Sequence, residues 1–262
     1  MSLKVQGYAN VVTLPNVTGR VIIVGDIHGC RAQLEDLLRA VSFKQGSDTL
    51  VAVGDLVNKG PDSFGVVRLL KRLGAYSVLG NHDAKLLKLV KKLGKKECLK
   101  GRDAKSSLAP LAQSIPTDVE TYLSQLPHII RIPAHNVMVA HAGLHPQRPV
   151  DRQYEDEVTT MRNLIEKEQE ATGGVTLTAT EETNDGGKPW ASMWRGPETV
   201  VFGHDARRGL QEQYKPLAIG LDSRCVYGGR LSAAVFPGGC IISVPGWNGA
   251  SAAAEGHHHH HH

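Results

Sequence analysis

Short apolar runs alternate with amphipathic segments in the first third of the chain. Apolar runs of four or five residues bounded by glycine are typical of buried strands, whereas apolar residues that recur every three or four positions are typical of helices. This pattern predicts strands at residues 21–24, 49–53 and 76–79, and helices at 31–41, 64–73 and 84–93. Strands that alternate with helices indicate βαβ units and a parallel sheet that is buried on both faces.

The pattern changes in the rest of the chain, where strands outnumber helices. Residues 94–127 are rich in lysine, serine and proline and contain a short predicted helix at 119–126. A further helix is predicted around 160–170, followed by a loop at 172–188. Strands are predicted at 129–132, 137–140, 199–202, 217–221, 231–236 and 240–244. We therefore expect an α/β (α+β) protein in which mixed sheets pack against each other and helices flank them.

The composition places the chain among ordinary globular proteins. Of its 262 residues, 41% are hydrophobic and 21% are charged. Residues 255–262 end in six histidines and are interpreted as a tag-derived tail. No shift in composition marks a second domain, so we expect one domain over residues 1–254 with its core at about 20–245. No apolar run approaches the ~18 residues of a membrane span, so we expect no membrane partner. The cysteines form no CxxC pair, so we expect a cytoplasmic protein.

Five of the predicted strands end in loops that carry residues able to bind a metal ion. In chain order these residues are Asp26 and His28, Asp55, Asn81 with His82 and Asp83, His141, and His204. In open α/β sheets, ligands collect beyond the carboxyl ends of the strands, so residues distant in sequence converge there. A mixed oxygen and imidazole set without thiolate suits Mn, Fe or Zn better than Ca.

Each of these residues also has a structural interpretation. A single histidine after a strand is usually a core or turn residue, and a single aspartate after glycine is usually a turn residue or a helix cap. Four of the seven histidines outside the tag nevertheless fall at these strand ends. The other three, His128, His135 and His145, are interpreted as structural or surface residues. Five ligand-bearing strand ends in one chain favour a metal site.

The motifs GDIHG, GDLVNKG, GNHD, HAG and FGH, in this order, resemble those of the metal-dependent phosphoprotein phosphatase family of binuclear metallophosphoesterases. The resemblance spans roughly residues 20–244 and implies a calcineurin-like fold, with mixed sheets packed as a central sandwich between helices. The segments IGLDSRCVYGGRLSA and MRNL are similar to the ApaH branch, which includes diadenosine tetraphosphate hydrolases. GDLVNKGPDS is similar to the ApaH-like phosphatases of eukaryotes in particular.

The resemblance implies two metal ions, divalent or trivalent, with Mn expected and Fe, Zn or Co as alternatives. Asp26, His28 and Asp55 would hold one ion. Asp55, Asn81, His141 and His204 would hold the other, so that Asp55 bridges the pair. Two cations ~3.5–4 Å apart lower the pKa of a shared water and supply hydroxide near neutral pH.

The resemblance also implies a general acid that follows the metal ligand Asn81. His82 would protonate the departing oxygen, and Asp83 would orient His82 and keep it charged. An alternative for Asp83 is an aspartate cap at the start of the following helix.

Phosphate anchors are expected to be basic residues that face the non-reacting oxygens. Protein phosphatases of this family carry an arginine in GDxxDRG, where this chain has Asn58 and Lys59. Lysine keeps the charge but binds phosphate as a point charge without the guanidinium fork. By the same resemblance, Lys59, Asn81 and Arg195 are predicted phosphate-binding residues, and Arg195 lies where the family places its second phosphate arginine. Arg224, directly before Cys225, is a further candidate that could bind a second phosphate. A structural arginine at 195 and an outward-facing turn arginine at 224 are the alternatives.

A basic segment follows GNHD, with nine Lys or Arg residues between 85 and 105 against two acidic ones. It is interpreted either as the solvated face of a helix or as a basic rim that steers polyanions.

The predicted function is metal-dependent hydrolysis of phosphoanhydride bonds in dinucleoside polyphosphates such as diadenosine tetraphosphate. A nucleoside polyphosphate is thus the expected small-molecule partner. Alternatives are a serine/threonine phosphoprotein phosphatase, a hydrolase of the triphosphate bridge of capped RNA, or a binding module without catalysis.

Overall fold

Two five-stranded mixed sheets form the centre of the protein in the computed structural model, which describes residue 3 and residues 7–249. The predicted tag-derived tail lies outside the described residues. The strands, numbered in chain order, are β1 (Val11–Thr13), β2 (Val21–Val24), β3 (Thr49–Ala52), β4 (Tyr76–Ser77), β5 (Ile129–Ile132), β6 (Val137–Ala140), β7 (Asn163–Glu168), β8 (Val175–Thr180), β9 (Lys188–Pro189), β10 (Thr199–Phe202), β11 (Ala218–Gly220), β12 (Arg230–Phe236) and β13 (Cys240–Pro245).

The two sheets differ in which strands run parallel. Sheet A has the order β13-β12-β2-β3-β4, with β2, β3 and β4 parallel to each other and β12 antiparallel to β2. Sheet B has the order β1-β5-β6-β10-β11, with β6, β10 and β11 parallel to each other. The carboxyl ends of the parallel strands therefore meet at one edge within each sheet.

The sheets pack face to face through a core of β-branched and other apolar side chains. Ile23 and Val51 of sheet A and Val139 and Val201 of sheet B are fully buried in this layer. Their neighbours along β2 and β3, Ile22 and Leu50, point to the opposite face and pack in a second core under the helices. This alternation follows from the two-residue period of a strand. The predicted sandwich of mixed sheets is confirmed.

Helices cover the outer faces of the two sheets. They are α1 (Arg31–Ala40), α2 (Ser63–Arg72), α3 (Asn81–Gly94), α4 (Arg102–Lys105), α5 (Ala109–Ser114), α6 (Thr117–Ser124), α7 (Glu155–Thr160) and α8 (Trp190–Met193). Helices α1, α2, α3, α5 and α6 contribute to the core on sheet A, where Leu34, Leu70 and Leu86 are buried, and α4 packs against α5. The last two lie on sheet B, where Trp190 packs edge-on against Phe202. Among the described residues, no helix is both long and apolar enough to cross a membrane.

Most predicted elements are confirmed, including the strands at 21–24, 129–132, 137–140 and 199–202 with their predicted bounds. Strand β1 and the short helices α4, α5 and α8 were not predicted. Helix α3 begins at Asn81, three residues before the predicted start, because the Asp83 carboxylate accepts the backbone N–H of Gly80 and caps its first turn.

The predicted helix at 160–170 and the predicted loop at 172–188 are wrong. Helix α7 ends at Thr160, and β7 then pairs antiparallel with β8 and β9 to form a third, three-stranded sheet. The Glu- and Lys-rich segment 165–170 has helical propensity. The pairing of β7 with the Val- and Thr-rich strand β8, and the burial of Leu164 and Ala179 against sheet B, outweigh that propensity.

The motif GDLVNKGPDS contains the residue that caps the N-terminus of helix α2. Asp62 is its N-cap, and the carboxylate accepts the backbone N–H of Gly65 at 2.9 Å. We expect Asp62→Ala to lower the free energy of unfolding by about 1 kcal/mol, because one helix-end N–H loses its acceptor. Urea denaturation followed by circular dichroism measures the change. Asp62→Asn should lose much less, since asparagine also caps helices, and equal losses in both variants would contradict the capping role.

Candidate functional site

The ligand-type residues predicted at the strand ends converge where the two sheets meet. Loops after β2, β3 and β4 bring Asp26, His28, Asp55 and Asn81 from sheet A, and loops after β6 and β10 bring His141 and His204 from sheet B. Asp26, Asp55, His28, His141 and His204 are all buried. The polypeptide approaches itself closely here: a Cβ on Gly80 would lie 2.2 Å from the backbone nitrogen of Asp55. Only glycine permits that approach.

Asp55 lies at the centre of this cluster. Its Oδ2 atom is 3.5 Å from His28 Nε2 and 3.2 Å from His141 Nε2, and its Oδ1 atom accepts the backbone N–H of His82 at 2.9 Å. Burial alone would raise the pKa of this carboxyl group, but the surrounding histidines, His141 first, hold it well below its usual range. Asp55 is therefore a permanent carboxylate between histidines from two sheets.

Backbone carbonyl groups set the orientation of the three buried histidines of this cluster. The Nδ1 atom of His28 lies 3.0 Å from the carbonyl oxygen of Val57, and that of His141 lies 2.7 Å from the carbonyl oxygen of Val53. In each case Nδ1–H donates, so the lone pair of Nε2 points into the cluster. His204 is reversed, because its Nε2 atom lies 3.0 Å from the carbonyl oxygen of Thr160 and leaves Nδ1 as the ligand atom. Such hydrogen bonds select the tautomer that a metal ion requires.

The histidines differ in their protonation preferences. Burial, reinforced by His82, lowers the pKa of His28 to about 4 against the attraction of Asp55. Burial and the nearby Arg162 guanidinium lower the pKa of His204 well below its usual value. Burial acts in the same direction on His141, but the Asp55 carboxylate outweighs it and the pKa is raised. Neutral imidazoles at His28 and His204 are the form that binds a metal ion.

Three buried carboxyl groups, those of Asp26, Asp55 and Asp222, lie close together. Burial, and then the charges of Asp222 and Asp55, raise the pKa of Asp26 well above its usual range. Burial also raises the pKa of Asp222 to about 6. The Oδ1 atom of Asp26 accepts the backbone N–H of His204 at 3.1 Å, which ties the two sheets together. Like charges held together out of water are stabilised by a bound cation.

The donor set fits a pair of metal ions. Two groups of side chains have ligand atoms within 4.8 Å of one another, one formed by His28, Asp55 and His82, the other by Asp55, His141 and His204. Asp55 belongs to both groups, as the predicted bridge requires. The Oδ1 atom of Asn81 lies 3.0 Å from His141 Nε2, so the amide faces the second group. Oxygen and imidazole donors of this kind suit first-row transition metals.

Asp83 does not orient His82 in the structure. Its Oδ2 atom accepts the backbone N–H groups of Asp55 at 2.8 Å and Gly80 at 3.0 Å, and its Oδ1 atom accepts that of Leu56 at 3.0 Å. Burial and the Asp55 charge raise the pKa of Asp83 to about 7. Asp83 thus fixes the backbone that carries Asp55. The predicted contact with His82 is replaced by Asn58, whose Nδ2 atom lies 2.9 Å from His82 Nδ1.

An open cavity of about 240 Å³ leads from solvent to this cluster. Lys59 lines it, and its ammonium group contacts the Tyr227 hydroxyl and lies 4.9 Å from the centre of the Tyr227 ring. The remaining lining residues are His28, Asp55, Asn81, His82, Arg162, Glu181, Glu182, Thr183, His204, Ala206, Arg207 and Asp222. The wall therefore combines cations with the ligand cluster.

Arg195 and Arg224 are not placed as predicted. Arg195 lines a separate cleft with Trp194 and Glu198, and its guanidinium donates to the backbone carbonyl groups of Ser192 and Trp194. Arg224 lies nearer, but its guanidinium donates to the carbonyl groups of Ala206 and Arg207. Arg195 follows a short helix on the outer face of sheet B, so its proximity in sequence to β10 does not bring it to the strand end.

Arg162 and Arg207 line the cavity in their place, and neither was predicted as a site residue. Arg162 directly precedes β7, donates to the carbonyl oxygen of Glu181 at 3.0 Å, and lies 3.7 Å from the Asp205 carboxylate. Its Nε atom is buried without a hydrogen-bond partner. The signal was present in MRNL, one of the motifs that indicated the ApaH branch. Because 160–170 was predicted as a helix, the residue was not placed at the site.

The basic segment runs outward from the cavity along α3. Lys85, Lys88 and Lys91 are exposed, whereas Leu86 and Leu89 are buried on the opposite face. This is the amphipathic helix face expected from the sequence, and it begins beside His82.

Comparisons with known proteins agree with this architecture. A model of the calcineurin-like phosphoesterase family matches residues 19–219, so the chain belongs to this family. Proteins named symmetrical bis(5'-nucleosyl)-tetraphosphatase are similar to it. The one from Shewanella sp. strain MR-7 is 44% identical over 133 residues, which cover 49% of this chain and 46% of that protein. The chain thus matches slightly less than half the length of these curated relatives.

Solved structures extend the likeness over nearly the whole chain. One, described as "Crystal structure of a putative diadenosine tetraphosphatase", is 91% identical with a TM-score of 0.83, and covers 92% of this chain and 100% of that one. A serine/threonine phosphatase from Saccharomyces cerevisiae is 17% identical with a TM-score of 0.53, covering 90% and 83%, and shares the fold alone. The family resemblance and the calcineurin-like fold predicted from the motifs are confirmed.

The central position of Asp55 leads to a metal-binding prediction. We expect Asp55→Asn to lose most of the bound manganese, because an amide cannot neutralise two cations as a shared carboxylate does. Elemental analysis after dialysis against Mn²⁺ measures the metal-to-protein ratio. Asp48→Asn, which alters an aspartate paired with Arg20 far from the cluster, is the control and should keep the wild-type ratio. Unchanged metal content in Asp55→Asn would contradict the bridging role.

Proposed function

We propose that the protein hydrolyses phosphoanhydride bonds of dinucleoside polyphosphates, with diadenosine tetraphosphate as the representative substrate. The observation that carries this proposal is a single cavity in which cationic side chains face an Asp55-centred ligand cluster. It is supported by a family of phosphoesterases and by close relatives and neighbours named for tetraphosphatase activity. The reaction class is hydrolysis of a phosphoric anhydride.

The ligand cluster would hold two metal ions through Asp26, His28 and Asp55 on one side and Asp55, Asn81, His141 and His204 on the other. When bound, the metal ions supply hydroxide near neutral pH and neutralise charge on the phosphoryl oxygens. We infer manganese as the native metal, since oxygen and imidazole ligands without thiolate suit it. A reducing, cytoplasmic compartment and a single domain are part of the same proposal.

Cations in the cavity would bind the phosphates that do not react. Lys59 lies on one side of the cavity, and Arg162 and Arg207 lie on another. A polyphosphate bridge carries a charge on each phosphate, so cations placed apart can bind neighbouring phosphates of one substrate. A phosphoserine offers one phosphate, which favours the polyphosphate over the phosphoprotein as substrate.

His82 faces the cavity and would act on the departing oxygen. It lies directly after the ligand Asn81, and its ring meets the His28 ring edge to face, with ring centres 5.0 Å apart. A hydrogen bond from His82 to the leaving oxygen stabilises the charge that develops there.

The substrate assignment is tested by a product-resolved panel with Mn²⁺ added. We expect diadenosine tetraphosphate to be turned over with release of two ADP molecules, and with a higher kcat/KM than a phosphoserine peptide or capped RNA. Anion-exchange chromatography of the products measures both the rate and the bond that breaks. Preferred turnover of the phosphopeptide would contradict the proposal.

A matched pair of arginine variants tests which arginine serves the substrate. Arg162→Gln should lower kcat/KM for diadenosine tetraphosphate by about 10²–10³, because a cationic donor in the cavity wall would no longer bind the phosphoryl oxygens. Arg195→Gln removes the same charge from the outer cleft and should stay within about twofold of wild type. Steady-state kinetics of both variants decide between them, and a larger loss in Arg195→Gln would restore the sequence-based assignment.

A further inference from the structure

Arg207 is a cation in the cavity wall that no described side chain neutralises. It lies in the tight turn after β10 and is exposed, and its guanidinium makes no hydrogen bond or ion pair with another described residue. The next residue, Arg208, is bound elsewhere, because its guanidinium donates to Asp205 at 2.9 Å and to Asn163 at 2.5 Å. The Arg207 guanidinium is therefore available to an anionic ligand in the cavity.

The backbone that carries Arg207 is held by the guanidinium of Arg224. Nε of Arg224 donates to the carbonyl oxygen of Ala206 at 2.5 Å, and Nη2 donates to that of Arg207 at 2.7 Å. Two donors of one planar group thus bind two successive carbonyl groups, which is a geometry specific to arginine. Among the described residues, the Arg207 carbonyl group has no other hydrogen-bond donor. Arg224 is therefore the side chain that fixes this part of the turn.

Arg224 is itself held firmly in the loop between β11 and β12. Its backbone N–H lies 3.2 Å from Asp222 Oδ1, and its carbonyl oxygen accepts the backbone N–H of Gly229 at 2.8 Å. A Cβ on Gly229 would lie 2.4 Å from the carbonyl oxygen of Ser223, so the loop closes on itself at a glycine. The loop is therefore a rigid support for the Arg224 side chain.

The same loop contacts Lys59, the cation on the other side of the cavity. The hydroxyl group of Tyr227 contacts the Lys59 ammonium group, which lies 4.9 Å from the centre of the Tyr227 ring. Lys59 follows β3 of sheet A, whereas Arg207 follows β10 of sheet B. One loop thus contacts both chain segments that carry these cations, and this fixes the separation between them.

We propose that Arg224 is a positioning residue that holds Arg207 at a fixed separation from Lys59, so that the site selects ligands with several linked phosphates over ligands with one. This inference rests on the proposed function and deepens it, because it names the residue that sets the preference for a polyphosphate. Arg224 acts through the backbone of the turn and does not touch the substrate. Arg207 then binds a phosphate without first ordering its own turn, which is the benefit of pre-organisation.

The proposed contact affects binding more than the chemical step. A phosphate that does not react keeps its contact with Arg207 both before and during bond cleavage, and a contact of this kind lowers KM and leaves kcat nearly unchanged. A ligand with a single phosphate lies at the ligand cluster and has no second phosphate for Arg207. Loss of Arg224 should therefore weaken the binding of polyphosphates and spare the binding of monophosphates.

The preference is measured with two ligands that differ in the number of linked phosphates, orthophosphate and tripolyphosphate. Isothermal titration calorimetry of the full chain, with Mn²⁺ in excess and tripolyphosphate added as its Mn²⁺ complex, gives both dissociation constants. In Arg224→Gln the constant for tripolyphosphate should rise about tenfold, because a charge-assisted contact with one phosphate is weakened, and that for orthophosphate should stay within about twofold. An equal rise for both ligands, or no rise for either, would overturn the inference.

Further variants separate position from charge. Arg224→Gly removes the side chain at a residue with φ 67°, where glycine is unstrained, and should give the same selective rise. Arg224→Lys keeps the charge without the fork and should recover only part of the loss, so recovery of the wild-type constant would overturn the positioning role. Arg230→Gln removes an arginine that donates to the Ser243 carbonyl oxygen at 3.0 Å, outside the cavity lining, and is the control. Both of its constants should match the wild type, and a selective rise there would also overturn the inference.

A double-mutant cycle tests whether Arg224 acts through Arg207. If it does, Arg207→Gln combined with Arg224→Gln should bind tripolyphosphate within about twofold of Arg207→Gln alone, because the second change removes nothing further. Independent losses that multiply to about a hundredfold would contradict this coupling. Circular dichroism of each variant checks that the fold is retained.

These outcomes are distinct from those that test the proposed function. If the wild type does not cleave dinucleoside polyphosphates, the proposed function fails, and the two dissociation constants still decide the role of Arg224. If the wild type does cleave them, Arg224→Gln should raise the KM for diadenosine tetraphosphate about tenfold with little change in kcat. Wild-type values of KM and of both dissociation constants in this variant would overturn only the inference about Arg224.

Discussion

The placement of the Asp55 carboxylate between two sheets is the constraint on which the rest of the site depends. One oxygen lies near histidines from both sheets, and the other is held by the backbone at the start of α3. This requires the strand ends of sheet A and sheet B to approach within side-chain reach. The Asp83 carboxylate joins the loops after β3 and β4 within sheet A, because it accepts three backbone N–H groups there. The backbone N–H of His204, which donates to Asp26, joins sheet B to sheet A. Burying these polar groups without partners would oppose folding.

Concentrated negative charge is the second consequence of that placement. Asp26, Asp55 and Asp222 are buried together, and burial first, then repulsion by the other two carboxylates, raises the pKa of Asp26. The histidines relieve this repulsion only in part, because burial holds His28 and His204 in the neutral form. Buried carboxylates that repel one another favour bound metal ions, and Lys59, Arg162 and Arg207 in the wall of the same cavity favour a polyanionic substrate. The buried negative charge of the ligand cluster thus favours the metal ions that the proposed hydrolysis requires.

Asn58 and Lys59 are neighbours in sequence but contact different parts of the site. Lys59 extends into the cavity beside Tyr227, while the Asn58 side chain turns back to the His82 ring. Their backbones both lie in the left-handed region, with φ 82° and 73°, and this sharp turn sends the two side chains in different directions. The aspartate and arginine of the GDxxDRG motif would pair with each other or with the substrate. Asn58 and Lys59 in their place therefore change more of the site than the loss of the guanidinium fork alone.

Much of this protein was determined by its sequence alone. A buried strand can be recognised from a short apolar run bounded by turn residues. For this reason the bounds of β2, β5, β6 and β10 were predicted correctly. The motifs at the ends of strands indicated the ligand cluster. Tertiary structure decided the rest. Residues 163–168 are strand because β8 pairs with them, and that pairing, invisible to local propensity, carries Arg162 to the cavity. The roles of Arg195 and Asp83 were assigned from the family resemblance, but their contacts depend on which backbone groups lie within reach after folding. The residue types came from the sequence, whereas the direction in which each side chain points was decided by long-range packing and hydrogen bonding.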